Sequence, residues 1–258
     1  MTHEDQTTRP PAAQLSTEYD AWHQRVFESA PDHSDEESPW YRLVLEYLVP
    51  VDGKRVLEVA CGRGGFANLL SSKGATVFGA DFSSAALRIA QRRSLRNGNG
   101  MHRIALAQAD AQTLPYADES FDIVISCETI EHVLDPLAAL REMARVTRAG
   151  GFLYLTTPNY FNAMGLYHVY ARLRGRNLTP GGDQPFDRVF LFPQVRRLLR
   201  RAGWSITSSD GTVHQFPIWP RHNPVAAPAL ESIRPMRRFL APFAFHYFLM
   251  GTRKMARS

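Results

Sequence analysis

An acid, a glycine-rich turn and a second acid are spaced in this chain as a sugar-bearing ligand requires. Val56–Phe66 reads VLEVACGRGGF, an apolar run that carries Glu58 and ends in a turn holding Gly62, Gly64 and Gly65. Val77–Asp81, VFGAD, is a second apolar run, and it ends on Asp81. Glycines let backbone approach a ligand closely, and an acid after the second strand of a parallel sheet takes ribose hydroxyls. The pairing points to a nucleoside-containing cofactor. Further on, Glu128-Thr129-Ile130-Glu131-His132-Val133 places two carboxylates and an imidazole in one short stretch. An imidazole that titrates near neutral pH can take the proton of a hydroxyl as that oxygen becomes a nucleophile. Capping a helix or fixing a loop is the plainer use of His132.

These residues need elements to hold them. Apolar spacing predicts helices over Tyr19–Val26 and Trp40–Leu48, after a polar lead of residues 1–14 that reads as disordered. An alternation follows. Strands are expected at Arg55–Ala60, Thr76–Ala80, Arg103–Ala109, Phe121–Cys127 and Phe152–Thr156. Helices are expected at Gly65–Lys73, at Ser83–Arg93 with Ser83 or Ser84 as cap, and at Pro136–Arg148. The last should stop at Ala149-Gly150-Gly151, where glycine suits a C-terminal turn. Strands alternating with helices of this length mean βαβ units and a parallel sheet. Residues 158–192 break the rhythm, and an insertion of that length is usually a lid or binding loop. Gln194–Ala202 resumes as a basic helix. Trp204–Ser208 and His246–Thr252 read as the last two strands, with a helical piece near Ile233–Leu240.

In this order the motifs resemble those of class I S-adenosylmethionine-dependent methyltransferases, over roughly Val56 to Trp204. The resemblance implies a Rossmann-like, seven-stranded, mostly parallel sheet flanked by helices, with a lid or insertion after the fifth strand. It divides the chain into lead and lid helices over 1–50 and a methyltransferase domain over 51–258. The family's acid-x-G-x-G-x-G motif falls on Glu58, Ala60, Cys61, Gly62 and Gly64, with Ala60 in place of the first glycine. A methyl group there is tolerable if that backbone stays at negative φ. By the same resemblance Glu58 organises the loop near the cofactor's amino group, and Asp81 takes both ribose hydroxyls. Phe82 packs on the adenine, Asp110 and Ala111 meet the adenine edge, and Glu128 faces the methionine moiety. Tyr19 and Trp22 resemble a lid helix over the cofactor, or are ordinary helix packing. The implied cofactor is S-adenosyl-L-methionine, released as S-adenosyl-L-homocysteine. A nicotinamide dehydrogenase would want G-x-G-x-x-G directly after the first strand. The turn Ala60-Cys61-Gly62-Arg63-Gly64-Gly65 displaces the third glycine.

Glu128-x-x-Glu131-His132-Val133 and Thr157-Pro158-Asn159 resemble the ubiquinone-biosynthesis O-methyltransferases, and also the small-RNA 2′-O-methyltransferases. In those relatives two glutamates and a histidine can hold a divalent metal. A further histidine expected before the next helix is missing, with Asp187 in the aligned stretch as its substitute, so the set reads as incomplete. Without a metal, His132 is the general base. The expected acceptor is a small molecule methylated on oxygen, phenolic, quinone-like or polyketide-like, with a glycan hydroxyl as second choice. Tyr160, Phe161, Met164, Tyr167, His168 and Tyr170 offer an apolar wall, and Arg172, Arg174 and Arg176 a site for an anion.

Bulk properties bound the rest. The 258 residues suit one α/β domain with appendages. The net charge of +5 is uneven: −7 over residues 1–50, +9 over 196–258 and +3 between. Such a basic end suits a phosphate-bearing or membrane-associated substrate, an RNA, or simply a solvated arginine face. No added RNA-binding module is evident, so no nucleic-acid partner is expected, and a noncatalytic cofactor-binding protein is the remote alternative. Pro235–Met250 offers peripheral membrane contact or, more simply, a packed helix and a last strand. No secretory signal or membrane-spanning run is read, and Cys61 and Cys127 sit in apolar contexts, so the cytoplasm is the expected compartment.

Overall fold

The computed structural model describes residues 12–29, 38–97, 104–162, 165–166, 169–170, 173–174, 184–216, 225–226 and 232–254. Five strands, β1 (Arg55–Val59), β2 (Thr76–Asp81), β3 (Ala105–Gln108), β4 (Phe121–Cys127) and β5 (Thr147–Pro158), run parallel to one another. β6 (Trp204–Thr212) and β9 (His246–Arg253) complete a seven-stranded sheet of order β3-β2-β1-β4-β5-β9-β6. β9 is antiparallel to both of its neighbours. A two-stranded ribbon, β7 (Gln215–Phe216) and β8 (Val225–Ala226), lies apart from it. The helices are α1 (Ala12–Ser29), α2 (Pro39–Tyr47), α3 (Gly65–Ser72), α4 (Ser84–Asn97), α5 (Pro136–Val146), α6 (Phe192–Arg201) and α7 (Arg234–Leu240). None of the described helices is long and apolar enough to cross a membrane.

A parallel sheet covered on both faces needs strands that are apolar on both faces, and FDIVISC of β4 is such a strand. Alternate residues feed opposite cores. Leu57, Val124, Leu153 and Leu249 pack with Leu140 and Met143 of α5, Val195 and Leu199 of α6, and Trp204. Val56, Ile123, Ile125, Tyr154 and Phe248 pack with Tyr41 and Val44 of α2 and with Phe66 and Leu70 of α3.

Strand order reverses between β1 and β4, because the chain winds outward from β1 in one direction and from β4 in the other. Ligand crevices in open α/β sheets form outside the carboxyl ends of strands at such a switch point. The register brings Val59, Ala80 and Ser126 level there, and His246 opens β9 on the same edge opposite Pro158.

Several boundaries differ from the sequence expectation. α1 starts at Ala12 and reaches Ser29, so residues 12–14 belong to a helix, while 1–11 lie outside the described residues. α5 stops at Val146 rather than Arg148. Thr147 already pairs with Phe121 in the sheet, its hydroxyl donates to the Met143 carbonyl, and Arg148 forms an ion pair with Asp122 of β4. Gly150, at φ 73°, therefore serves an irregularity within β5 and does not cap the helix. β6 runs on to Thr212 through a register shift between Ile206 and Ser208. β3 is shorter, from Ala105, and residue 103 is outside the described set.

The turn after β1 departs from expectation in one respect. Ala60 sits at φ 57°, in the left-handed region, not at negative φ. The backbone leaving β1 must turn under the sheet edge there, where the family pattern has a glycine. An L-residue in that region costs about 1–2 kcal/mol, and glycine would forgo part of that gain through its looser unfolded chain. Ala60→Gly is expected to raise stability by up to about 1 kcal/mol, read as a higher urea midpoint at unchanged slope.

Candidate active site

The ends of β1, β2 and β4 and the segment after β3 enclose a cavity of about 210 Å³. Ala60 and Gly62 line it from the first turn, Asp81 and Phe82 from the end of β2, Asp110 and Ala111 from the segment after β3, and Glu128 and His132 from the end of β4. Three of the residues expected to hold the cofactor do not line it. Glu58 is buried and its Oε1 accepts a hydrogen bond from the Tyr41 hydroxyl at 3.1 Å, so it ties α2 to the strand beneath the turn. Cys61 is buried on the other side of the turn. Gly64 caps α3 at φ 74°, and a Cβ there would come within 2.8 Å of the Ala90 Cβ, so this glycine serves the packing of α3 on α4.

Asp81 has the form that a vicinal diol needs. Its Oδ2 accepts from the Gly62 amide and its Oδ1 from the Ser83 amide, both at 2.8 Å. One bond on each oxygen leaves acceptor capacity on both. Burial raises its pKa from the ordinary aspartate value, against the pull of His23, and hydroxyl donors in the cavity would offset that burial. Asp110 accepts from both the backbone and side-chain amides of Gln112, which fix its orientation. The residues present thus fit a nucleoside.

Helix α1 closes the cavity with Leu15, Tyr19, Trp22 and His23. Tyr19 donates its hydroxyl to the Phe186 carbonyl at 3.1 Å, and Ser16 donates to the Phe82 carbonyl at 3.3 Å. Asp20 is the latch. Ser83 caps α4 by accepting from the Ala86 amide, and Asp20 accepts from the Ser83 and Ser84 hydroxyls at 2.6 and 2.8 Å and from the Ala85 amide at 3.0 Å. Desolvation pulls its pKa up, but these donors hold it below the usual value. A carboxylate at a helix N-terminus also meets the favourable end of the helix dipole. Asp20→Ala is expected to cost about 1 kcal/mol of lid docking, about fivefold in the dissociation constant of a nucleoside ligand measured by calorimetry.

A second cavity, about 610 Å³, adjoins the first and shares Trp22, His23, Gly62, Glu128, His132 and Gln184 with it. Trp40, Tyr41, Tyr160 and Phe245 give it aromatic walls. His132 stands where the two meet. Its Nδ1 lies 2.7 Å from the Phe186 carbonyl, and a carbonyl only accepts, so Nδ1 carries the hydrogen and Nε2 keeps its lone pair. Burial pushes this imidazole below 6.5, while Phe186 and Glu128 pull the other way. The ring is therefore neutral at physiological pH.

Glu131, with no exposed surface, lies 3.7 Å from His132 Nε2 and accepts from the Thr157 hydroxyl at 2.9 Å. Burial, and then the nearby Glu128, raise its pKa well above the usual range. Asp187 stands 3.8 Å from His132 Nδ1, and burial pushes it up to about 6. Among the described residues no three His, Cys, Asp or Glu side chains converge as a metal requires.

Of the wall proposed from the insertion, Tyr160 lines the second cavity, while Phe161 and Tyr170 are exposed and Arg174 lies over the Tyr170 ring. Met164, Tyr167, His168, Arg172 and Arg176 lie outside the described residues. Sequence reasoning missed His246, whose Nδ1 lies 2.9 Å from Glu128 Oε2. It also missed Asp20 and His23. Only the strand order places the first residue of β9 at the same edge as the last residues of β4 and β5.

Comparison with known proteins fits this geometry. A family model described as a methyltransferase domain matches residues 57–155. The chain is 35% identical over 194 residues to a ubiquinone biosynthesis O-methyltransferase of Pseudomonas putida, covering 75% of this chain and 82% of that one. It is 34% identical over 169 residues to the protein of the same name from Paracidovorax citrulli, covering 65% and 70%. Among solved structures, the [4+2]-cyclase SpnF superposes with a TM-score of 0.67 at 23% identity, over 96% of this chain and 98% of that one. An S-adenosylmethionine-dependent methyltransferase from Mesorhizobium loti gives 0.58 at 18%, over 84% and 98%. These two structures speak for the fold alone, since one fold hosts several reactions.

Proposed function

We infer the acceptor from the premise that this chain belongs to the family of the ubiquinone-biosynthesis O-methyltransferases, class I S-adenosylmethionine-dependent enzymes. The protein is an S-adenosylmethionine-dependent methyltransferase of a small-molecule acceptor. We propose that the acceptor is a phenolic or quinone-like ring methylated on oxygen. The single observation that carries this is the meeting of the two cavities at Glu128 and His132, one with a diol-accepting carboxylate and the other with aromatic walls.

When bound, the cofactor supplies a methyl group already activated on a sulfonium. The chain's residues then have four tasks. Asp81, Ala60, Gly62, Phe82, Asp110 and Ala111 hold the nucleoside end. Glu128 stands at the methionine end. His132 Nε2 takes the proton of the attacking hydroxyl, as a neutral imidazole with its other nitrogen fixed by Phe186. α1 and residues 184–187 cover the junction, which keeps water out and holds the reactants in line. We read residues 158–192 as the substrate-binding insertion, and the two buried, free thiols accord with the cytoplasm.

The test is calorimetry followed by methyl transfer. Binding of S-adenosylmethionine and not NADH, with radiolabelled methyl appearing on a phenolic acceptor, is expected. Binding without transfer to any hydroxylated ring in a panel of benzoates, naphthols and quinols would discard the acceptor class.

A further inference from the structure

The methyl transfer as described leaves His246 without a role. It opens β9 within the second cavity, and its ring lies 4.8 Å from that of Trp40. Its Nδ1 is 2.9 Å from Glu128 Oε2. A carboxylate accepts, so Nδ1 carries the hydrogen and Nε2 holds a lone pair when the ring is neutral. No described residue makes a hydrogen bond to Nε2. Glu128 is held with care for this arrangement. It sits at φ 49°, a strained conformation for a residue with a side chain, and its amide donates to the Thr156 carbonyl at 3.0 Å.

The two histidines reach different places. His132 lines both cavities and so stands at the methyl end, whereas His246 lines the second cavity alone. A ring whose reacting oxygen lies at His132 extends into the second cavity, whose wall His246 shares.

We propose that His246, oriented by Glu128, is a specificity-determining residue that binds a second oxygen on the acceptor ring and thereby selects which oxygen is methylated. The inference deepens the methyltransferase reading and rests on it. Nε2 accepts from a neighbouring hydroxyl, and the bond keeps that hydroxyl away from His132. Asparagine at this position puts an amide where Nδ1 is and keeps a donor for Glu128, but removes Nε2. Glutamine reaches the position of Nε2.

The experiment follows two chromogenic probes by absorbance in the complex with S-adenosylhomocysteine: 4-nitrocatechol, with two neighbouring hydroxyls, and 4-nitrophenol, with one. The native protein is expected to prefer the catechol by about tenfold, the worth of one hydrogen bond to a polar site. His246→Asn abolishes that preference with 4-nitrophenol affinity unchanged, and His246→Gln restores part of it. With methyl donor present, His246→Asn also yields a mixture of the two monomethyl products. The proposal is overturned if the native protein shows no preference, if His246→Asn keeps it, or if both probes weaken together. It is also overturned if chelator alone removes the preference, since an ion would then be reading the diol. Calorimetry with S-adenosylhomocysteine on the same samples separates the two ideas. No binding there discards the methyltransferase reading and the subsite with it, and binding without a catechol preference discards the subsite alone.

Discussion

His132→Gln lowers turnover by about 100- to 1,000-fold while calorimetric binding of S-adenosylmethionine persists, the loss expected when a positioned general base is removed. The base works only as neutral imidazole. Burial depresses its pKa, so the acid limb of the pH–rate profile falls below 6.5 and the enzyme stays active where an ordinary histidine would be charged. The sign for stability follows from the same shift. Below 6.5 the unfolded chain takes up a proton that the folded ring refuses, so this group's contribution to stability falls as the pH drops. Asp187 acts in the opposite sense. Its pKa is raised by burial to about 6, so its contribution is full in acid and is lost as the pH rises through that value. A limb that moves in Asp187→Asn belongs to the aspartate, and one that vanishes with His132 belongs to the base. Unchanged turnover in His132→Gln would remove proton transfer at this residue from the mechanism.

Arg237→Met lowers stability by about 3–5 kcal/mol, because it leaves a buried carboxylate without its cation. Arg237 of α7 reaches Asp210 of β6 through Nη2 at 2.9 Å and Nε at 3.1 Å, and Glu46 of α2 through Nη1 at 3.1 Å. Asp210 has no exposed surface, and after the arginine is removed its remaining side-chain support includes the Tyr47 hydroxyl at 2.7 Å. A loss of that size is a large share of the stability of an ordinary domain. Urea unfolding should show it as a lower midpoint at unchanged slope. Arg237→Lys recovers only part, since an ammonium cannot fork to two carboxylates. The double variant Arg237→Met/Asp210→Asn should be more stable than Arg237→Met alone, because the orphaned charge is gone. If the double variant is no better, desolvation of Asp210 is not the cause.

Much of this was legible in the sequence for a physical reason. β1, β2 and β4 are predominantly apolar because a parallel sheet is covered on both faces, and such runs announce themselves in one dimension. Asp81 and the glycine turn could be read because both lie beside the strand that positions them. Helix ends were harder. α5 stops at Val146 because Thr147 and Arg148 find partners on β4, which local spacing does not contain. Ala60 shows the same limit. Its side chain favours negative φ, and the turn beneath the sheet edge overrides it.

The sequence by itself determined the parallel α/β architecture and the glycine turn and acids that follow its strands, because each depends on periodicity and on residues near one another along the chain. The tertiary structure alone decided the rest. It sent Glu58 to Tyr41 and Gly64 to Ala90, fixed the hydrogen on His132 through Phe186, latched α1 to α4 through Asp20, and brought His246 beside Glu128. Each of these joins residues far apart in the chain, and which distant residue meets which is set by strand order and packing.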